Sequence, residues 1–168
     1  MPKEDSIIVD SKVKYKGTFD LKLLYKKIRE WLLREGYSDP CEGGEKKYSE
    51  RVKPGGKQIE FVWEAKKGEE AGYFGLNIKL SFFLNALNEV EIEKDGKKIK
   101  LDNGEIEVVF NSALVRNAND KWDEGGFMFK IYERYIIGDK IEHFKIELYK
   151  DSNKLIDEVK NFFSLYRF

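Results

Sequence analysis

Hydrophobic and polar positions recur along this chain with two periods. From about Lys57 to Val115 apolar residues alternate with polar ones, as on a half-buried strand. Near the N-terminus and at the C-terminus they recur every three to four residues, as on an amphipathic helix. Ile7 to Phe19 also alternates, with Val9, Ser11, Val13, Tyr15 and Gly17 on one face and Asp10, Lys12, Lys14 and Lys16 on the other. This predicts a first strand. Asp20 then reads as a helix N-cap, with Phe19 and Leu24 at the two positions of a hydrophobic staple. Leu21, Leu24, Ile28, Trp31 and Leu32 share one face of the helix that follows, and Gly36 closes it.

Ser38 to Glu45 is a loop with Asp-Pro and Gly-Gly punctuation, and Lys46 to Lys53 a short strand. After the Pro54-Gly55-Gly56 turn, Ile59, Phe61, Trp63 and Ala65 form one apolar face. Phe74, Leu76, Ile78, Leu80 and Phe82 form the next, beyond a turn at Gly68 to Gly72. Asp95-Gly96 and Asn103-Gly104 are both tight-turn signals. They divide the rest of the block into Val90 and Ile92, then Ile99 and Leu101, then Ile106 to Val115. The expectation is one antiparallel sheet of six or seven strands.

Asn117 to Gly126 reads as a polar loop. Met128, Ile131, Tyr132, Tyr135 and Ile136 are helically spaced, with a strand as the alternative. Asp139 and Glu142 form a capping-box pair. Ile141, Phe144, Leu148, Leu155, Val159, Phe162 and Tyr166 then follow one stripe. The preferred reading is a single helix from Asp139 to Leu165, weakened at Asp151-Ser152-Asn153. The competing one makes Lys140 to Tyr149 a last strand. The fold class is therefore α+β: one antiparallel sheet, an early amphipathic helix, and a long C-terminal helix packed on one face. Residues 1–168 form a single domain, the expected count at this length.

Charge narrows the function. Thirty-one basic residues balance 31 acidic ones, which argues against a dedicated nucleic-acid binder. The lone Cys41 has no disulfide partner within the chain, which points to a reducing, cytoplasmic compartment. The apolar run Ile7-Ile8-Val9 is too short for a signal peptide, and no run is long enough to span a membrane.

Candidate chemistry is sparse. His143 is the only histidine; Asp139 and Glu147 would share its helix face at spacings that suit metal ligands. No second His or Cys joins them, so a solvated face is the simpler account, and neither a metal nor another cofactor is expected. The loop from Asn117 is rich in oxygen ligands, yet Lys121 occupies the fifth position of an EF-hand count. Trp122 in that loop either packs on the core or edges a binding site. Aromatics make up 14% of the chain. The candidate ligand-binding set is Phe61, Trp63, Phe74 and Phe82 on the sheet, Trp122 in the loop, and Phe144 and Leu148 on the last helix. Together they would line an apolar pocket or groove.

The stretches FDLKLLYKKIREWLLREGY (19–37), EVEIEKDGKKIKLDNGEIEVV (89–109) and KLIDEVKNFFSLYRF (154–168) resemble small uncharacterised archaeal proteins of similar length. That likeness implies an archaeal cytosolic source and assigns no chemistry. The element order is similar to the helix-grip architecture of START-like ligand carriers, which implies a cavity between a curved sheet and the last helix. This chain departs from it in having one early helix where two are usual. The resulting expectation is a non-enzymatic binding module for an apolar small molecule or a protein partner. The alternatives are an interaction subunit with a solid core, and a weak single-stranded nucleic-acid binder.

Overall fold

The structure, a computed structural model, describes residues 3–68, 73–116, 131, 134 and 138–166. Its elements are β1 (Lys3–Phe19), α1 (Leu21–Arg34), β2 (Glu45–Lys53), β3 (Gly56–Gly68), β4 (Phe74–Lys94), β5 (Lys97–Arg116) and α2 (Gly138–Ser164). The polar loop at Asn117 to Gly126 and the segment from Phe127 to Ile136, apart from Ile131 and Arg134, lie outside the described residues.

The five strands form one antiparallel sheet in the order β1-β5-β4-β3-β2. Among the described residues the expected six or seven strands are thus five. The difference arises at two places. Glu89–Lys94 is not a separate strand but the continuation of β4, which runs 21 residues. Asn103-Gly104 is not a turn: β5 passes straight through it, with Asn103 opposite both Asn88 and Thr18. The turn at Asp95-Gly96 is where the sequence places it, with left-handed φ at both residues.

Gly104 serves a different purpose. β4 carries one extra residue between Asn85 and Asn88, and Ala86 there has φ +52°. This is a β-bulge. A Cβ on Gly104 would lie 3.0 Å from the carbonyl oxygens of both Asn85 and Ala86. Gly104 lets the neighbouring strand close on the bulge. Gly104→Ala should therefore cost about 1–3 kcal/mol, as overpacking does. Urea denaturation checks this, and an unchanged midpoint would mean that the bulge yields freely.

One face of the sheet is apolar and covered. Phe61, Phe82, Val108 and Val13 form a cross-strand row, flanked by the row Ile59, Leu84, Ile106 and Tyr15. All eight are buried. Both helices lie on this face. Tyr25 of α1 meets Phe61 edge-on at 5.0 Å, and Phe163 of α2 stacks on Tyr15 at 4.8 Å. Asp20 caps α1 by accepting from the Leu23 N–H at 3.1 Å, while Asp102 of β5 accepts from the Leu21 N–H. The helix closes at Gly36, and the Tyr37 N–H returns to the Leu32 carbonyl.

α2 is one helix of 27 residues. It runs through Asp151-Ser152-Asn153, where Asn153 donates to the Tyr149 carbonyl one turn back. Leu148, Leu155, Val159 and Phe162 are buried, as the stripe predicts, and Glu142, Lys154, Asp157 and Lys160 are exposed. The alternation predicted for β1 fails at its start. The register slips twice between Ser6 and Ser11, Asp10 adopts φ +47°, and Val9 is turned out to 66% exposure.

Candidate functional site

The seven residues expected to line a pocket fare differently. Phe61, Trp63, Phe74, Phe82 and Leu148 are buried, and Phe144 is half-buried. Phe61 and Phe82 stack at 4.3 Å, and Trp63 lies 5.4 Å from Phe82 and 5.7 Å from Phe61. These three rings and Tyr25 fill the space beneath α1 with one another. Phe144 meets Phe74 at 4.8 Å, in a separate group further along the sheet. Trp122 lies outside the described residues. Between the two helices, where Leu24, Ile28, Leu155, Val159 and Phe162 converge, the cavity measures about 10 Å³.

The single-residue candidates are ordinary surface groups. His143 and Asp139 are exposed, and Glu147 is drawn off to Lys67 at 3.2 Å. Among the described residues no three His, Cys, Asp or Glu side chains are grouped to hold a metal ion. Cys41 is exposed. Local desolvation, and then the nearby Asp39 carboxylate, push its thiol up and away from the reactive thiolate. No described helix is long and apolar enough to cross a membrane.

One buried polar pair escapes any reading of the sequence. Tyr37, just past α1, donates its hydroxyl to Asp151 on α2 at 2.9 Å, and both are buried. The residues stand 114 positions apart, so no local pattern announces them. Burial is the main cause that raises the Asp151 carboxyl above its ordinary value; Tyr37 and Lys67 oppose this, and Glu147 and Glu35 add to it. Burial likewise raises the Tyr37 phenol, which stays protonated and donates. The sign of the linkage follows. A carboxyl with a raised folded-state pKa binds more protons folded than unfolded, so its contribution weakens as pH rises above the unfolded value. Asp151→Asn keeps an acceptor for Tyr37 and removes the charge. It should raise the melting temperature at neutral pH, with the gain shrinking towards acidic pH. A lower melting temperature at neutral pH would show that the ionised carboxylate is needed.

Among the described residues the opposite face of the sheet carries no helix. Lys12 and Lys14 lie 3.7 and 3.8 Å from Glu107, and Lys16 lies 3.4 Å from Glu105. The lysine row that could meet phosphates is thus matched by a glutamate row on the neighbouring strand. Beside it runs an open trough of about 590 Å³, lined by Lys14, Gln58, Glu60, Phe83 and Glu105 among others. Phe83 is 42% exposed there, an aromatic ring in a polar surface.

Beyond the trough, β4 and β5 leave the sheet together. β3 pairs with β4 only as far as Leu87, and β1 with β5 only as far as Asp102. Residues 88–101 form a two-stranded arm. Alternation along β5 is unbroken, so Glu107, Glu105, Asn103, Leu101, Ile99 and Lys97 share the uncovered side. Asp102, bonded to α1, lies on the other. The bulge at Ala86 shifts β4 by one residue and brings Val90 and Ile92 to the same side, opposite Leu101 and Ile99. The arm is therefore two-faced. Val90, Ile92, Ile99 and Leu101 form an apolar strip on the uncovered side. Glu89, Glu91, Glu93, Lys98 and Lys100 occupy the other, with Glu91 opposite Lys100 and Glu93 opposite Lys98. Val90, Ile92 and Leu101 are half-buried, and Ile99 is exposed.

The signal for this strip is legible in hindsight. Four aliphatic residues alternate within a hairpin that is otherwise almost wholly charged. Acid–base pairing accounts for the charges and leaves the aliphatics without a purpose. No protein-family model matches the chain, and no curated protein does either.

Proposed function

We propose that this chain is an interaction subunit with a solid core, and that the apolar side of its β4–β5 arm docks another polypeptide. One observation carries the reading. Val90, Ile92, Ile99 and Leu101 form a contiguous aliphatic strip on a two-stranded arm with no third layer among the described residues. A two-stranded ribbon is marginal in water by itself, and a hydrophobic partner surface is what stabilises it. Two further observations support this over the alternatives. The aromatic rings expected to line a ligand cavity contact one another. The lysines that would meet nucleic acid face glutamates.

Site-specific photo-crosslinking tests the proposal. A photoreactive residue at Ile99 should give a discrete adduct with another polypeptide in extract of the source cells or with the protein itself. The same residue at exposed His143 on α2 should not. No adduct from Ile99, or equal diffuse labelling at both sites, would overturn the reading.

A further inference from the structure

We propose that the arm's apolar side receives an acidic amphipathic helix of another protein, its aliphatic ridge on the strip and its carboxylates at Lys94 and Lys97. This rests on the docking role proposed for the arm.

The charged rows of the arm are balanced except one. On the side away from the strip, Glu91 stands opposite Lys100 and Glu93 opposite Lys98. Glu89 faces Asp102, yet Lys100 reaches Glu89 at 3.9 Å and the Leu21 N–H donates to Asp102. On the strip's own side, the row next to the turn is Lys94 opposite Lys97. Both lysines are exposed, and among the described residues neither forms an ion pair. Like charges directly opposite destabilise a strand pair. A carboxylate placed between the two ammonium groups relieves that repulsion.

At the base of the strip no free carboxylate awaits the tip of a second copy. Glu105 is held by Lys16, and Glu107 by Lys12 and Lys14. Asn88 and Asn103 are neutral, and they donate to the Gly55 carbonyl and the Thr18 hydroxyl. Tip against tip sets lysines against lysines. From base to tip the uncovered side thus reads balanced, neutral, apolar, cationic. Its complement is a surface with aliphatic residues at one end and carboxylates at the other. Nucleic acid would supply anions, but the strip has no ring on which bases could stack. A lipid bilayer entered tip first would have to take up Lys94, Asp95 and Lys97 ahead of any aliphatic residue.

A helix fits this face better than a strand. A lone strand laid flat on it would leave its backbone groups without a ladder, whereas a helix closes its own hydrogen bonds. Successive rows on one side of a strand stand about 6.6 Å apart. Four residues of a helix rise about 6 Å. Two aliphatic residues four apart would cover the Val90–Leu101 and Ile92–Ile99 rows, and a Glu or Asp one turn further on would reach the lysines.

Mapping the photo-adduct from Ile99 tests this. In extract of the source cells the adduct should fall on one segment of another protein, with carboxylates within two helical turns of the labelled residue. A synthetic peptide of that segment should bind the full chain, read by fluorescence anisotropy. Lys94→Glu combined with Lys97→Glu should weaken binding about tenfold at low salt, because attraction becomes repulsion. The loss should shrink as salt rises. The double variant leaves the row as like-charged as before, and melting curves verify its fold. The peptide with its carboxylates changed to lysine should bind the double variant and not the native chain. Vesicles of phosphatidylglycerol and phosphatidylcholine in equal parts should leave the protein in the supernatant. A labelled segment without carboxylates, binding that ignores the double variant, or failure of the lysine peptide to restore it overturns the acidic helix. An adduct of the chain with itself, or sedimentation with vesicles that Ile99→Ser abolishes, also overturns it. The docking role stands wherever Ile99 gives a discrete adduct, and no adduct removes both.

Discussion

Phe82→Ala should destabilise the protein by about 3–5 kcal/mol, the range for a large aromatic removed from a core. Phe82 sits on the central strand, fully buried, in contact with Phe61, Trp63 and Tyr25. Neighbours on β3 and β5 fix its position, so the surroundings can relax only in part. The variant should therefore hold an apolar void. Benzene or a similar small ring should raise the melting temperature of the variant, because a ligand that binds only the folded state stabilises it. The native protein should not respond. A native response equal to the variant's would mean that the core already contains a ligand cavity, and would return the weight to a carrier. A loss below 1 kcal/mol would mean that the ring is not packed as described.

Trp31→Ala should cost a similar amount, about 3–5 kcal/mol. Trp31 is buried on the inner face of α1 and stacks on Tyr37 at 6.4 Å. Tyr37 in turn holds Asp151 of α2. The tryptophan thus braces a polar link from the end of α1 to α2. Its loss should be coupled to that link. In a double-mutant cycle with Tyr37→Phe, the costs should fall short of additive by more than about 0.5 kcal/mol, as for residues in contact. Simple additivity would place Trp31 and Tyr37 in independent environments. Chemical denaturation of the four proteins measures it.

Much of this fold is written in local pattern. The alternation of Phe61, Trp63, Leu80 and Phe82 is visible because one sheet face is buried and the other is not. The stripe from Phe144 to Phe162 is visible because α2 lies on that same face along its length. Tight-turn dipeptides are less informative. Asp95-Gly96 and Asn103-Gly104 look alike in sequence, yet only the first turns the chain. The second meets a bulge on the adjacent strand, and a bulge has no signature of its own. Missing it splits long strands into short ones and inflates their number. It also hides which side of the arm Val90 and Ile92 occupy, since one inserted residue reverses the faces. The Tyr37–Asp151 pair is long-range, and neither residue is unusual in its neighbourhood. Phe61, Trp63, Phe74 and Phe82 are buried on the sheet. What the sequence lacks is the volume of the neighbours, and Tyr25 of α1 takes up the room.

A single hydrogen-bonded ladder joins the core to the arm. β4 and β5 pair without a turn from Phe74 opposite Arg116 to Lys94 opposite Lys97. At one end each strand has a second neighbour and a helical layer above it; at the other it has neither among the described residues. Opening the ladder at the base disrupts the core, while opening it near Asp95 disturbs only the arm. Amide exchange along these strands should therefore slow step by step from the tip inwards, spanning local fraying to global unfolding within one hairpin. The strip of aliphatic residues lies in the soft part of that gradient. It can adjust to what it meets without any cost to the rows around Phe82, so recognition and stability occupy different lengths of the same two strands.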